Sequence, residues 1–152
     1  MPPRRDDRTL DLFRDVEPQA VVARFEEHQV RAATLSARMS RAVAQTLADS
    51  KMSRDKISSA MAAFLGEDMP SSMLDAYASQ AKAGHQISAV RLLALVAATG
   101  DARALNTLLA DAGLIVVEAK YEALLRRERA KEMRDRLERE IEAADAQWRA
   151  RR

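Results

Sequence analysis

Apolar residues recur three and four positions apart through most of the chain, the spacing of amphipathic helices rather than strands. From Thr34 to Asp49, Leu35, Met39, Val43 and Leu47 fall at every fourth position and share one stripe, while Arg38 and Arg41 point elsewhere. Ser53 is suited to cap a second helix whose inward face is Ile57, Met61, Phe64 and Leu65, and Gly66 ends it. Pro70 and Ser71 open a shorter helix with Met73, Leu74, Tyr77 and Ala78, running towards Gly84. Ser88 opens another, with Val90, Leu93, Val96 and Ala97 inward. In Thr99-Gly100-Asp101, Gly100 closes that helix and Asp101 caps the next, whose Leu105, Leu108 and Leu109 face the core.

The two ends read differently. Residues 1–18 hold a charged opening and a small apolar cluster, Leu10, Leu12, Phe13 and Val16, compatible with docking on the core or with a free arm. A short helix is expected from Pro18 to about Arg31, with Val21, Val22 and Phe25 on one side. Leu114-Ile115-Val116-Val117 is the one β-branched cluster and suggests an extended segment across the bundle; a lone strand could pair only with a symmetry mate. From Glu118 onward a long charged helix is expected, with Ala130, Met133, Leu137, Ile141, Ala144 and Trp148 forming a narrow, coiled-coil-like seam for one partner helix. The organisation is thus 1–33, an arm and short helix; 34–113, a compact bundle; and 114–152, a helix for oligomerisation or partner binding.

Composition agrees with an all-α fold. Hydrophobic residues make up 47% of the chain but aromatics only 4%, and the unbranched types that dominate lose little rotamer freedom in a helix. At 152 residues one modest core is expected. The absence of cysteine excludes disulfides, thiolate metal sites and cysteine nucleophiles. No apolar run approaches the roughly 20 residues needed to cross a bilayer, and Met1-Pro2-Pro3-Arg4-Arg5-Asp6-Asp7 lacks a secretory apolar segment, so a cytoplasmic location is expected. With 25 basic and 23 acidic residues, net charge by itself does not point to nucleic acid.

The order helix Ser53–Leu65, turn Gly66–Pro70, helix Ser71–Ala83 is the layout of a helix-turn-helix, with a turn slightly longer than the usual three or four residues. The stretch "ISAVRLLALVAATGDARALNTLLADAGL" resembles the region after the recognition helix in CII-like regulators of temperate phages. The wider arrangement, with "RTLDLF" near the start and "LDAYASQA" in the middle, is similar to a small helical protein of Mu-like transposable phages. The resemblance implies an oligomeric phage regulator acting on double-stranded DNA in a bacterial cell. Carried over, it places Ser71, Ser72, Asp75, Ser79, Gln80 and Lys82 towards bases and phosphates, and Arg54 and Lys56 at the DNA backbone. Self-association would run through Met133, Leu137, Ile141, Ala144 and Trp148. The span Ser53 to Ala112 holds five basic residues against six acidic, so a monomer would bind DNA weakly and lose it readily to salt.

A protein-binding adaptor that sequesters a host or phage factor is the alternative, because small helical bundles with tight corners also serve purely protein contacts. After Gly113, eleven basic residues interleave with nine acidic ones, the pattern of a solvated helix held by ion pairs. Arg149, Arg151 and Arg152 form a small terminal basic group. His28 beside Glu26 and Glu27, and His85, lack partners at ligand or dyad spacing and read as surface residues. There is no glycine-rich phosphate loop, HExxH or GxSxG, and Ser58, Ser59, Ser71 and Ser72 sit at helix starts. The expectation is no enzyme, no catalytic residue, no metal and no cofactor.

Overall fold

The computed structural model describes residues 20–80 and 85–151, and every regular element among them is helical. In chain order these are α1 (Glu27–Val30), α2 (Leu35–Asp49), α3 (Arg54–Leu65), α4 (Ser71–Ala78), α5 (Ala89–Thr99), α6 (Arg103–Leu109) and α7 (Glu122–Ala150). Single 3₁₀ turns at Ala110–Ala112 and Ala119–Tyr121 bracket the passage from α6 to α7.

The helix starts follow from capping chemistry. The hydroxyls of Thr34, Ser53 and Ser88 accept from the backbone N–H groups of Ala37, Lys56 and Arg91 at 3.2, 3.3 and 3.3 Å, each satisfying a donor that a helix leaves orphaned. Gly66 and Gly100 end α3 and α5 at φ of 71° and 73°, a left-handed conformation that costs a side-chain-bearing residue about 1 kcal/mol or more. At the Thr-Gly-Asp corner, the Asp101 carboxylate accepts from the Arg103 N–H at 2.9 Å, which does the work of a cap although Ala102 occupies the cap position.

α2, α4, α3, α5 and α6 pack in that cyclic order around one core, with α1 laid against α2. Ile57, Met61, Leu74, Leu92, Leu95 and Val43 are fully enclosed, each side chain contributing about 1.5–3 kcal/mol of apolar burial. Met69, in the turn between α3 and α4, is buried too, and the Ser58 hydroxyl donates to its carbonyl oxygen. That turn is therefore anchored from below.

Several expectations are corrected. The helix anticipated from Pro18 is one turn, Glu27–Val30, within the described residues, because Asn106 donates to the Ala23 carbonyl at 2.9 Å and ties that stretch to α6 instead. The β-branched pair Val21-Val22 adds little helix propensity to oppose it. The α4 helix stops at Ala78 rather than Ala83: Ser79 is extended (φ −90°, ψ 119°) and its N–H bonds the Ala76 carbonyl in a tightened last turn. Residues 114–118 form no strand; the segment lies on α6, with the Val116 N–H donating to Asn106 Oδ1 at 2.6 Å and the Val116 carbonyl accepting from Asn106 Nδ2 at 3.2 Å.

On α5 the buried residues are Leu92, Ala94 and Leu95, whereas Val90, Leu93 and Ala97, expected inward, are exposed. The helix is apolar almost all round, so periodicity cannot choose its inner face, and packing against α3 chooses it. Phe64 is likewise exposed while Ser58 takes a buried place on α3. Gly84, Lys82 and the cluster Leu10, Leu12, Phe13 and Val16 lie outside the described residues.

Candidate nucleic-acid interface and helix seam

The α3 cap fixes Arg54 and Lys56 on the first turn of that helix, exposed to solvent. Across the turn, Leu74, Ala76 and Tyr77 hold α4 to the core, which turns Ser72, Asp75 and Ser79 to the opposite side at positions three and four apart. Ser72, Asp75 and Gln80 are exposed; Ser71 and Ser79 are half-buried. Arg54 Nε lies 3.1 Å from Asp75 Oδ1. The fold thus joins the group expected at the phosphate backbone to the helix expected at the bases in one patch. The same ion pair occupies Arg54, and an exposed pair of this kind is worth only about 0–1 kcal/mol, little enough for a phosphate to displace it.

The far side of α4 is tied down by a different arginine. Arg91 donates to the Tyr77 hydroxyl and to Glu67, with Nη2 2.9 Å from Glu67 Oε1, which brings the end of α3 to the start of α5. Its guanidinium is held still more firmly protonated than usual, first by Tyr77 and then by Glu67. A second arginine, Arg103, stacks over the Phe25 ring at 4.2 Å and bonds Asp101 and Asp49, both at 2.7 Å. Its charge is reinforced by Asp101 first. Three basic residues of the bundle are thus spent on internal links, since Arg38 is likewise paired with Asp111.

Residues that sequence reasoning passed over matter here. Asn106 is a buried amide that clamps Ala23 and Val116 onto α6, and its signal was a lone amide inside the apolar run Ala104 to Leu109. The exposed stripe Val90, Leu93 and Ala97 carried no distinguishing signal, since a core face would have the same pattern.

The residues expected to form the seam all lie on α7. No residue of α7 is buried, and Met133, Leu137, Ile141 and Trp148 keep 51–64% of their surface in solvent; Ala144 is exposed as well. The helix is held by local ion pairs such as Glu122–Arg126 at 2.7 Å and Arg136–Glu140 at 3.2 Å, worth about 0.2–0.5 kcal/mol each. His28 and His85 are exposed, and no cluster of three metal-ligating side chains occurs among the described residues. None of the described helices is long and apolar enough to cross a membrane.

No family model, no curated protein and no solved structure matches this chain.

Proposed function

We propose that the chain is a non-enzymatic, phage-type DNA-binding regulator that acts as an oligomer, with α3, the 66–70 turn and α4 directed at DNA and α7 joining copies. The observation that supports the reading is the single patch made by Arg54 and the outward face of α4, where Ser72, Asp75 and Gln80 are free of core packing. Oligomerisation supplies what one bundle lacks: doubling the patch doubles the phosphate contacts, and salt-resistant affinity rises steeply with their number. The test is retention of fragments from the surrounding genome between about 50 and 200 mM salt, the range over which phosphate-driven binding collapses. Retention of one fragment at the higher salt is expected; loss of all fragments at both salts removes DNA from the reading. Replacing Ser72 and Gln80 by alanine is expected to cost about tenfold or more in specific affinity with the fold intact, and an unchanged affinity removes α4 from the contact.

A second reading, a protein-binding adaptor, is favoured by the outer face of α5. Val90 and Leu93 are 64% and 49% exposed beside Ala97, on a helix whose start is linked through Arg91 to the end of α3, where Phe64 is exposed. Under this reading Leu93→Asp abolishes a stoichiometric complex with a protein partner and leaves the thermal midpoint in place. A midpoint that falls with the complex would show Leu93 to be structural instead.

A further inference from the structure

The seam of α7 has a period that decides how a second copy can meet it. Ala130, Met133 and Leu137 are followed by Ile141, Ala144 and Trp148, and each of the second three stands eleven residues after its counterpart. Eleven residues in three turns is about 3.67 per turn, close to the 3.6 of a straight helix. The seam therefore runs almost parallel to the helix axis for about 27 Å without the left-handed winding that a seven-residue repeat demands. All six positions are exposed.

We infer that the occupant of this seam is α7 of a second copy, lying antiparallel, with the two-fold axis near Arg139. The inference rests on the oligomeric reading above and adds its geometry. Reversal about Arg139 sets Ala130 against Trp148 and Leu137 against Ile141 of the second copy, and brings Met133 within one residue of the level of Ala144. Each layer then pairs a small with a large side chain, or two of middle size, and the helices can keep one separation of about 8–10 Å throughout. A parallel pair stacks Trp148 on Trp148 and Ala130 on Ala130, wedging one end apart while leaving a gap at the other.

The charges that flank the seam also find opposite partners in this direction. Arg134, Glu138, Asp145 and Arg149 line one edge, and Arg129, Arg136, Glu140 and Arg151 the other. Antiparallel pairing brings each edge against its own reverse, so Arg134 comes opposite Asp145 and Arg136 opposite Glu140 of the second copy, and two-fold symmetry repeats both contacts. Parallel pairing instead sets unlike edges together, placing Arg134 beside Arg136 and Glu138 between Arg136 and Glu140, and leaving Asp145 without an arginine at its level. The antiparallel arrangement has like-charge neighbours as well, Glu138 and Glu140 each near its own copy at the axis and arginines at the seam ends; salt screens all of these edge contacts alike, so the packing of the layers sets the direction. Within one helix Arg134 already pairs with Glu138 at 3.5 Å and Arg136 with Glu140 at 3.2 Å, so the cross-helix contacts extend existing pairs into networks.

With the axis at Arg139, the two Glu122 residues, at the starts of the two α7 helices, stand about 51 Å apart along the rod. The dimer carries its bundles at opposite ends of the rod.

The chain has no cysteine, so introduced thiols report cleanly. Met133→Cys and Ala144→Cys chains of the full protein, one bearing a mass tag, are mixed, refolded together and treated with a short bismaleimide linker. The mixed product is expected to exceed either self-linked product by roughly tenfold, because the self-pairs lie about 15 Å or more apart in the antiparallel dimer. Dominant self-linked products would establish parallel pairing and overturn this inference while sparing the oligomeric reading. Absence of any product, with a monomer mass in sedimentation, would overturn both.

Discussion

The five-helix ring α2–α6 and the C-terminal helix α7 use similar residue types to opposite ends. In the ring, Leu92 and Leu95 are enclosed almost completely, and its arginines Arg38, Arg91 and Arg103 each reach a partner distant in sequence. In α7 no residue is buried, and its side-chain ion pairs join residues within four positions of each other. The ring is held by tertiary burial, whereas α7 is held by propensity and local charge, and its apolar residues stay exposed. Three-and-four spacing therefore marks a core in one region and an exposed stripe in the other, and what separates them is how wide and continuous the apolar stripe is.

The largest effect that divides the two regions comes from truncating an apolar side chain in each. Leu95→Ala is expected to cost about 2–5 kcal/mol, because the side chain is fully enclosed, and urea denaturation of the bundle reads it directly. Ile141→Ala is expected to leave that transition where it is and to shift only the sedimentation coefficient. A large loss of bundle stability from Ile141→Ala would mean that α7 folds back on the ring.

A smaller effect is expected where the regions meet. Asn106 donates to Ala23 and Val116 and accepts from the Val116 N–H, so Asn106→Ala strands polar backbone groups in a partly buried place and is expected to cost about 1–3 kcal/mol. Hydrogen exchange supplies the check: the Val116 amide loses protection while amides of α3 keep theirs. Equal loss in both would show the clamp to be part of the core rather than a local tether.

How much of this was legible follows from what sets each feature. Helix boundaries at Thr34, Ser53, Gly66, Ser88 and Gly100 were readable because capping is local chemistry, decided within three residues. The inner face of α5 was not, because Ala89, Val90, Leu92, Leu93, Ala94, Leu95, Val96 and Ala97 offer apolar residues on nearly every side and only packing against α3 selects among them. The one-turn α1 was illegible for a related reason, since the amide that holds Ala23 out of a helix lies 83 residues away. At the candidate interface, the identities and exposure of Arg54, Ser72, Asp75 and Gln80 were readable, but the Arg54–Asp75 pair depends on how the 66–70 turn is anchored through Met69 and Ser58.

Acid titration gives the smallest and most discriminating comparison. Asp49 accepts from Arg103 and from Gln45, both at 2.7 Å, and its carboxyl is held below its ordinary value of 3.8, by Arg103 first and Gln45 second. The Arg38 guanidinium lowers Asp111 in the same way. A carboxylate lowered in the folded state contributes stability that is present above its unfolded pKa and is lost as pH falls through the folded value. The thermal midpoint of the bundle is therefore expected to drop below about pH 4, with Asp49→Asn and Asp111→Asn each flattening that slope. Glu128 is also lowered, by Arg127 first and then Lys131, but those partners are its neighbours in the unfolded chain as well, so little of the shift is released on unfolding. Glu128→Gln is accordingly expected to leave the slope unchanged. A flattening as large as that of Asp49→Asn would mean that protonation in α7 is felt by the ring, and that the two regions are coupled rather than merely joined.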